Sequence, residues 1–204
     1  MKLFTRKNIS IVLLIVVLIV VGLRWAGGKS LIALKLPLAS VFSRPAVLGE
    51  AEYRTVSALK LSSSAFTDGQ TLPEKYTCKG AGVNPPLTIS GVSDKTKSLV
   101  LILEDPDAPG GMLTHWLMWN ISSSAKEIRE DGGFYGAMAG RNSFGTAGFG
   151  APCPPPGKAY RYIFRLLALD KRLVLSNTAD LPILNQNMEN HILADTMLTA
   201  TFSR

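Results

Sequence analysis

The sequence predicts a mainly β domain in which two antiparallel sheets pack as a sandwich with peripheral helices, preceded by an N-terminal transmembrane or signal helix. Three observations support this fold class. Short strand-like runs alternate with Gly- and Pro-rich turns from residue 59 onward, one helical pattern occurs near the C-terminus, and an uncharged apolar run lies near the N-terminus. We divide the chain into a membrane segment at 1–28, a connector at 29–58 and a folded domain at 59–204.

The N-terminal segment has the layout of a signal anchor or a secretory signal. Lys2, Arg6 and Lys7 precede an uncharged apolar run at residues 9–23. This run is shorter than the about 20 apolar residues that a spanning helix needs, and residues 25–28 extend it. We expect a single-pass anchor in the inner membrane, with the domain on the periplasmic or extracytoplasmic side. Secretion after signal cleavage is the alternative, although the sequence fits an A-x-A-like cleavage pattern poorly.

The net charge of +7 does not indicate nucleic-acid binding. Residues 1–54 contain eight Lys or Arg and two Glu, whereas residues 55–204 contain fourteen Lys or Arg and thirteen Asp or Glu. The excess positive charge therefore flanks the membrane segment, where it suits anionic headgroups. We expect membrane contact through the N-terminal helix and no nucleic-acid partner.

Strand-forming runs follow one another through the folded part. The run SLVLILE at 98–104 is apolar throughout and predicts a strand buried on both faces. After a turn, HWLMWNI predicts the next strand, and a period of two places four of its residues on one face: His115, Leu117, Trp119 and Ile121. The other predicted strands are LKLSSSAF, PPLTISGV, YRYIFRLLALD and MLTATF.

A helix is predicted near the C-terminus. Asp180 is a suitable N-cap, and Pro182 occupies an early helical position. Four apolar residues fit one helical stripe: Ile183, Met188, Ile192 and Leu193. Between the central strands, residues 131–158 contain eight Gly and four Pro, which are too many for regular structure. A long ordered loop of this kind is usually functional.

The turn after SLVLILE concentrates polar chemistry at the end of a predicted strand. Asp105 and Asp107 alternate with Pro106 and Pro109, and a residue before proline is held extended. If the flanking strands pair through this turn, Asp105 and His115 meet at one end of the sheet. An Asp beside a His favours the imidazolium, so the pair suits anion binding or acid–base chemistry. No G-x-S-x-G nucleophile turn or phosphate-binding P-loop accompanies it, which favours a binding protein over an enzyme.

The two cysteines, Cys78 and Cys153, lie in Gly- and Pro-rich stretches. In an exported chain an even number of cysteines favours a disulfide. Two cysteines and two histidines match a zinc set in number, but their spacing lacks a C-x-x-C or H-x-x-x-H pair. We therefore expect a disulfide, and neither a metal nor another cofactor.

Five stretches, in order, resemble motifs of the phosphatidylethanolamine-binding protein family, most closely its bacterial, Raf kinase inhibitor-like branch. They are VNPPLTISGV, LEDPDAP, THWLMWNI, GRNSFGTAGFGAPCPPPG and YRYIFRLLALD. The resemblance spans about residues 59–204 and implies a two-sheet sandwich with a small pocket for phosphate or a phospholipid headgroup. It also implies that the loops carrying Cys78 and Cys153 meet at the binding end.

The resemblance assigns eight residues to the pocket: Asp105, Asp107, Pro109, His115, Pro154, Pro155, Tyr160 and Tyr162. The family motif G-x-H-R-Y reads KAYRY here, so Tyr160 stands in place of a histidine. Protonated His115 would then supply the charge and Tyr160 a neutral donor. We expect an exported, membrane-tethered binding protein for a small anionic ligand. The alternatives are an inhibitor of a partner enzyme, whose identity the sequence does not give, and a weak hydrolase that uses Asp105, His115 and water.

Overall fold

The computed structural model describes residues 58–132 and 136–204. The predicted membrane segment at 1–28 and nearly all of the connector at 29–58 lie outside the described residues. In the two described ranges, no helix has both the length and the apolar character needed to cross a membrane.

Eight strands in the described ranges form two antiparallel sheets. The smaller sheet has the order β1-β2-β5 and the larger has the order β6-β4-β3-β7-β8, which confirms the predicted two-sheet, mainly β fold. The strands are β1 Lys60–Ser62, β2 Leu87–Ser90, β3 Ser98–Asp105, β4 Leu113–Ser122, β5 Glu127–Ile128, β6 Met138–Ala139, β7 Tyr160–Leu169 and β8 Ile192–Phe202.

The central strand β3 separates two apolar clusters, as its uninterrupted apolar sequence predicts. Leu101 and Leu103 pack in the cluster that joins the larger sheet to Ile89 of the smaller sheet. Val100 and Ile102 pack in the cluster on the opposite face. Burying each such side chain contributes about 1.5–3 kcal/mol relative to its exposure. This two-sided burial fixes the strand and therefore the position of the residue at its end.

In residues 58–132 and 136–204, one α-helix is present, α1 at Leu181–Met188, and it packs on the outer face of the larger sheet. The Ile183 N–H donates to the Asp180 side chain at 3.3 Å, which confirms the predicted N-cap, and a proline occupies the first turn. The buried residues of the helix are Leu184 and Met188, four positions apart. A 3-10 turn at Glu74–Tyr76 is the other short helical element described.

Of the four residues in the predicted helical stripe, only Met188 is a buried residue of the helix. Ile183 is exposed, and Ile192 and Leu193 belong to β8, whose first residue pairs with Leu169 of β7. Asn190 adopts a positive φ of 63° between the helix and the strand. Pairing with the open edge of β7 outweighs the helical spacing of these apolar residues, because propensity is weak beside tertiary contacts.

Two register shifts in β4 contradict the predicted alternation of its faces. Leu99 pairs with Ile121 and Leu101 with Met118, so β4 has one extra residue at this point. Asn120 lies in this bulge with a φ of 58°, and its side chain exchanges two hydrogen bonds of 2.8 Å with the backbone of Leu173. The bulge moves Ile121 into the inner cluster with Met118, whereas Leu117 and Trp119 pack on the outer face.

Candidate functional site

The second bulge in β4 directs His115 toward the end of β3. Leu103 pairs with Trp116 and Glu104 with Thr114, which leaves His115 as the extra residue. The His115 ring contacts Tyr162 of β7 edge to face, with centroids 5.4 Å apart. His115 therefore lies on the Tyr162 side of the sheet and not, as alternation predicted, with Leu117 and Trp119.

A cavity of about 110 Å³ lies where the end of β3, the His115 bulge and the start of β7 meet. Seven of the eight residues predicted for the pocket line it: Asp105, Pro109, His115, Pro154, Pro155, Tyr160 and Tyr162. The structure thus brings the Asp105 and His115 ends of the two strands together, as their pairing through the turn predicts.

Asp105 is the last residue of β3 and is 3% exposed. Its Oδ1 accepts the Asp107 N–H at 2.9 Å, so the carboxylate also shapes the turn that follows. Burial raises the pKa of Asp105, while the backbone N–H groups of the turn and the nearby His115 oppose this rise. The result is a desolvated carboxyl group whose pKa lies above its usual value.

His115 is 2% exposed and is held by the loop that follows β6. Its Nδ1 lies 2.8 Å from the Gly150 carbonyl oxygen. Because a carbonyl only accepts, Nδ1 carries the hydrogen and the neutral ring keeps its lone pair on Nε2. Nε2 is buried and has no hydrogen-bond partner. Burial lowers the pKa of His115, although Gly150 and Asp105 act against this. Burial therefore favours the neutral ring, whereas the Asp–His pairing predicted from the sequence favoured the imidazolium.

Two tyrosines of β7 form the third side of the cavity. Tyr162 is 0% exposed, and its hydroxyl is buried. Burial, the negative charge of Asp105 and a hydrogen bond toward the Asp105 carboxylate all raise the pKa of Tyr162, so its hydroxyl stays protonated and faces Asp105. Tyr160 is also buried and lines the cavity, and Lys158 Nζ lies 5.9 Å from its ring centroid.

The predicted disulfide is present and supports the remaining wall. Cys78 and Cys153 are joined with their Cα atoms 5.3 Å apart. The Cys78 N–H also donates to the Pro152 carbonyl oxygen at 3.0 Å, so the loop at 77–82 holds the loop that carries Pro154 and Pro155. Because each cysteine is bonded to the other, neither is a thiolate ligand for zinc.

Asp107, the eighth predicted residue, does not line the cavity. Its two oxygens accept the Arg161 side chain at 2.8 and 2.9 Å, and the Arg161 N–H at 2.9 Å. This pairing lowers the pKa of Asp107 to about 2. Asp107 therefore ties the turn after β3 to the start of β7, which positions the pocket without entering it.

Sequence reasoning missed the loop residues that hold His115. Phe144 contacts the His115 ring with centroids 5.0 Å apart. Asn142 is buried, accepts the Phe144 and Thr146 N–H groups, and donates to the His115 carbonyl oxygen at 3.4 Å. The Gly150 N–H donates to the same oxygen at 2.8 Å. The signals for this loop were its length, its glycine content and its resemblance to a family motif at 140–157, none of which pointed to these individual contacts.

A two-sheet sandwich with a small pocket at the end of its larger sheet, in which an Asp, a His and two Tyr lie among apolar residues, defines a class of β-sandwich binding proteins. The chain belongs to the phosphatidylethanolamine-binding protein family, whose family model matches residues 62–203. This match confirms the resemblance seen in the five sequence stretches.

Relatives and solved structures agree with this assignment. A UPF0098 protein of Pyrococcus horikoshii is 38% identical over 184 residues, which cover 86% of this chain and 90% of the relative. A UPF0098 protein of Pyrococcus abyssi is 42% identical over 150 residues, covering 70% of this chain and 84% of the relative. The crystal structure of a putative phosphatidylethanolamine-binding protein homolog from Chlamydia trachomatis superposes with a TM-score of 0.70 at 37% identity, covering 72% of this chain and 99% of that one. E. coli YbcL, described as a new member of the mammalian family, gives a TM-score of 0.68 at 30% identity, covering 72% and 98%.

Proposed function

We propose that this chain is an exported, membrane-tethered binding protein whose pocket takes the anionic group of a small ligand, of the phosphate or phospholipid-headgroup type. One observation carries the proposal. His115 Nε2 is buried without a partner, and His115 lines the same cavity as the Asp105 carboxyl group and Tyr162, whose buried hydroxyl faces Asp105.

The energetics favour a ligand over a purely structural role for these groups. A buried polar atom without a partner costs about 1–3 kcal/mol, and such atoms are rare in folded proteins. An atom of this kind at a small cavity, His115 Nε2, is expected where a bound molecule completes its hydrogen bond. A cavity of about 110 Å³ is well below the roughly 300–1,000 Å³ of pockets for drug-sized ligands. It suits a compact acidic group, while the rest of a larger ligand remains outside.

We propose that the protein binds its ligand without catalysing a reaction. Cys153 is the one cysteine among the described residues that line the cavity. Its sulfur is bonded to Cys78, so it does not act as a thiol nucleophile. The remaining hydrolytic route would use water activated by Asp105 and His115. Turnover of p-nitrophenyl phosphate and p-nitrophenyl acetate should not exceed that of a His115→Ala variant. Turnover that depends on His115 would establish the hydrolase instead.

Binding is tested by calorimetric titration of phosphoethanolamine into the folded protein. We expect His115→Ala to weaken binding at least tenfold, about 1.4 kcal/mol, because the site loses a hydrogen-bonding group. The matched control is His191→Ala, since His191 is partly exposed, pairs with Asp170 at 2.8 Å and does not line the cavity. Equal affinities for wild type and His115→Ala would place the site elsewhere.

Export and tethering rest on the N-terminal sequence pattern. One further fact supports them. The disulfide is exposed at both cysteines, which suits an oxidising compartment. An alkaline phosphatase fusion after residue 204 should be active in the membrane fraction, and deletion of residues 1–28 should abolish that activity. An inactive full-length fusion would contradict export.

The alternative of an inhibitor of a partner enzyme remains a prediction. Affinity capture from envelope extracts with wild type and His115→Ala tests it. A partner that binds at the pocket should be captured by wild type and not by His115→Ala.

A further inference from the structure

We infer that the pocket selects a ligand whose acidic group still carries one hydrogen, a singly protonated phosphate monoester, over a phosphodiester of the same charge. This inference rests on the proposed binding function and names the class of ligand within it. It follows from the hydrogen-bonding groups and charges that surround the cavity.

The buried polar groups offer acceptors as well as donors. Asp105 presents carboxylate oxygens, one of which already accepts the Asp107 N–H at 2.9 Å. His115 commits its Nδ1 hydrogen to the Gly150 carbonyl, so the neutral ring presents only the Nε2 lone pair. His115 Nε2 therefore needs a hydrogen from the ligand, and Asp105, which already accepts from the turn, can accept one more. The hydroxyls of Tyr160 and Tyr162 can donate to an anionic ligand oxygen.

A phosphodiester anion does not match this arrangement. It has only acceptor oxygens, so it would leave the free lone pairs of Asp105 and His115 facing other lone pairs. A phosphate monoester with one remaining proton has the same charge of −1 but provides one O–H donor. That hydrogen can bond Asp105 or His115 while the other oxygens accept from the tyrosines. An unmade hydrogen bond to a buried polar group is the kind of mismatch that enzymes and binders discriminate most strongly.

Charge points the same way. Among the described residues that line the cavity, none is Lys or Arg. Arg161 is paired with Asp107 outside the cavity. Lys158 lies near the Tyr160 ring but does not line the cavity. Arg204 lies beside Cys153, with Nη1 3.7 Å from Sγ, and it does not line the cavity either.

An entering anion therefore meets one buried carboxyl group and one imidazole, in a region where charge is poorly screened. A hydrogen between the ligand and Asp105 removes this repulsion. Burial lowers the pKa of His115, so His115 does not readily take that hydrogen from solution for a diester. Burial raises the pKa of Asp105, so Asp105 supplies the hydrogen only where the solution is acidic enough to protonate it.

The test compares methyl phosphate with dimethyl phosphate by calorimetry. At pH 5 both are singly charged, and they differ in one hydrogen against one methyl group. We expect methyl phosphate to bind at least tenfold more tightly. Above pH 7 its affinity should fall about tenfold per pH unit, because the second proton of a phosphate monoester leaves near pH 6.

Proton linkage gives an independent readout. Titrations at pH 7.5 in two buffers with different ionisation heats should show uptake of about one proton per methyl phosphate bound, because most of the free ligand is the dianion at that pH. At pH 5 the uptake should be close to zero, since the ligand already carries the hydrogen.

The variant Asp105→Asn separates hydrogen bonding from size. Asparagine keeps an oxygen for the Asp107 N–H, removes the negative charge and adds a donor. The preference for methyl phosphate should fall below threefold as dimethyl phosphate binds more tightly. A tenfold preference that survives this change would show selection by size and overturn the inference.

Other outcomes are equally decisive and do not need the variant to fold. Equal wild-type affinities at pH 5, or binding at pH 7.5 without proton uptake, overturn the inference and leave the binding function standing. If neither phosphate binds at any pH, the proposed function fails and the inference fails with it.

Discussion

Removing the disulfide should destabilise the domain strongly and loosen the pocket. Cys78 and Cys153 are separated by 75 residues. The chain-entropy relation gives a stabilisation of about 4.5 kcal/mol at 25 °C for a closed loop of this length. This contribution comes from restricting the unfolded chain, so it is independent of the contacts in the two sheets. The double variant Cys78→Ser, Cys153→Ser should therefore fold but unfold at a lower denaturant concentration.

Urea denaturation measures this effect. The midpoint should fall, and the slope of stability against urea should rise, because an unfolded chain without the cross-link exposes more surface. Phosphoethanolamine binding should also weaken, since the disulfide and the Cys78–Pro152 hydrogen bond hold the wall that carries Pro154 and Pro155. Wild type treated with a reductant is the matched control and should behave like the double variant.

A stability loss below about 1 kcal/mol would refute the entropic reasoning. The bridge itself would be refuted if thiol labelling under denaturing, non-reducing conditions modified both cysteines of exported protein. Unchanged ligand affinity in a folded double variant would show that the disulfide does not position the wall.

Three further predictions concern single residues. Tyr160→His should tighten phosphoethanolamine binding below about pH 6.5, where an unperturbed histidine is charged, and titrations at pH 6 and pH 8 should differ; no change at either pH would place Tyr160 outside the site. The ion pair of Asp107 with Arg161 stabilises the fold above the unfolded Asp pKa of about 3.9, and this stabilisation is lost as the pH falls toward about 2, the pKa of Asp107 in the folded state. The urea midpoint of Asp107→Asn should therefore lack the wild-type decrease between pH 4 and pH 2. The same decrease in wild type and variant would contradict the pairing. Asn120→Ala should lower the free energy of unfolding by about 3 kcal/mol, and Asn120→Gly should lower it by about 1 kcal/mol less. Both variants lose the hydrogen bonds to Leu173, but glycine accepts a positive φ. Equal denaturation midpoints for the two variants would contradict the bulge.

The parts of the fold that follow from local pattern could be predicted from the sequence. The unbroken run at 98–104 indicated a strand buried on both faces, and it lies at the centre of the larger sheet. Asp180 and Pro182 marked the start of a helix that begins at Leu181. Asp105 and His115 were expected at one end of the sheet because a tight turn separates their strands, and both line the cavity.

The errors arose where non-local contacts decide the structure. Strict alternation along β4 fails at His115 and Asn120 because each is an extra residue relative to β3, and a bulge leaves little trace in the residue pattern. Ile192 fits helical spacing, yet pairing with β7 draws it into a strand. Phe144 supports His115 from a long loop whose path no local rule gives.

The resemblance, and not the pattern of residues, supplied the other walls of the site. It placed Tyr160, Tyr162, Pro154 and Pro155 at the pocket, and all four line the cavity. It also suggested Asp107, which instead pairs with Arg161. Asp107 lies two residues from Asp105 in the same turn. The sequence alone does not distinguish a carboxylate that contacts a ligand from one that forms an ion pair within the fold.

The central claim is that Asp105, His115 and Tyr162 form a site for the acidic group of a small ligand. A crystal of the domain soaked in phosphoethanolamine tests it most directly. The phosphate should occupy the cavity, with its oxygens at hydrogen-bond distance, about 2.5–3.2 Å, from His115 Nε2 and Tyr162 Oη. A phosphate bound elsewhere, or an empty cavity at a concentration that saturates binding in solution, would contradict the claim.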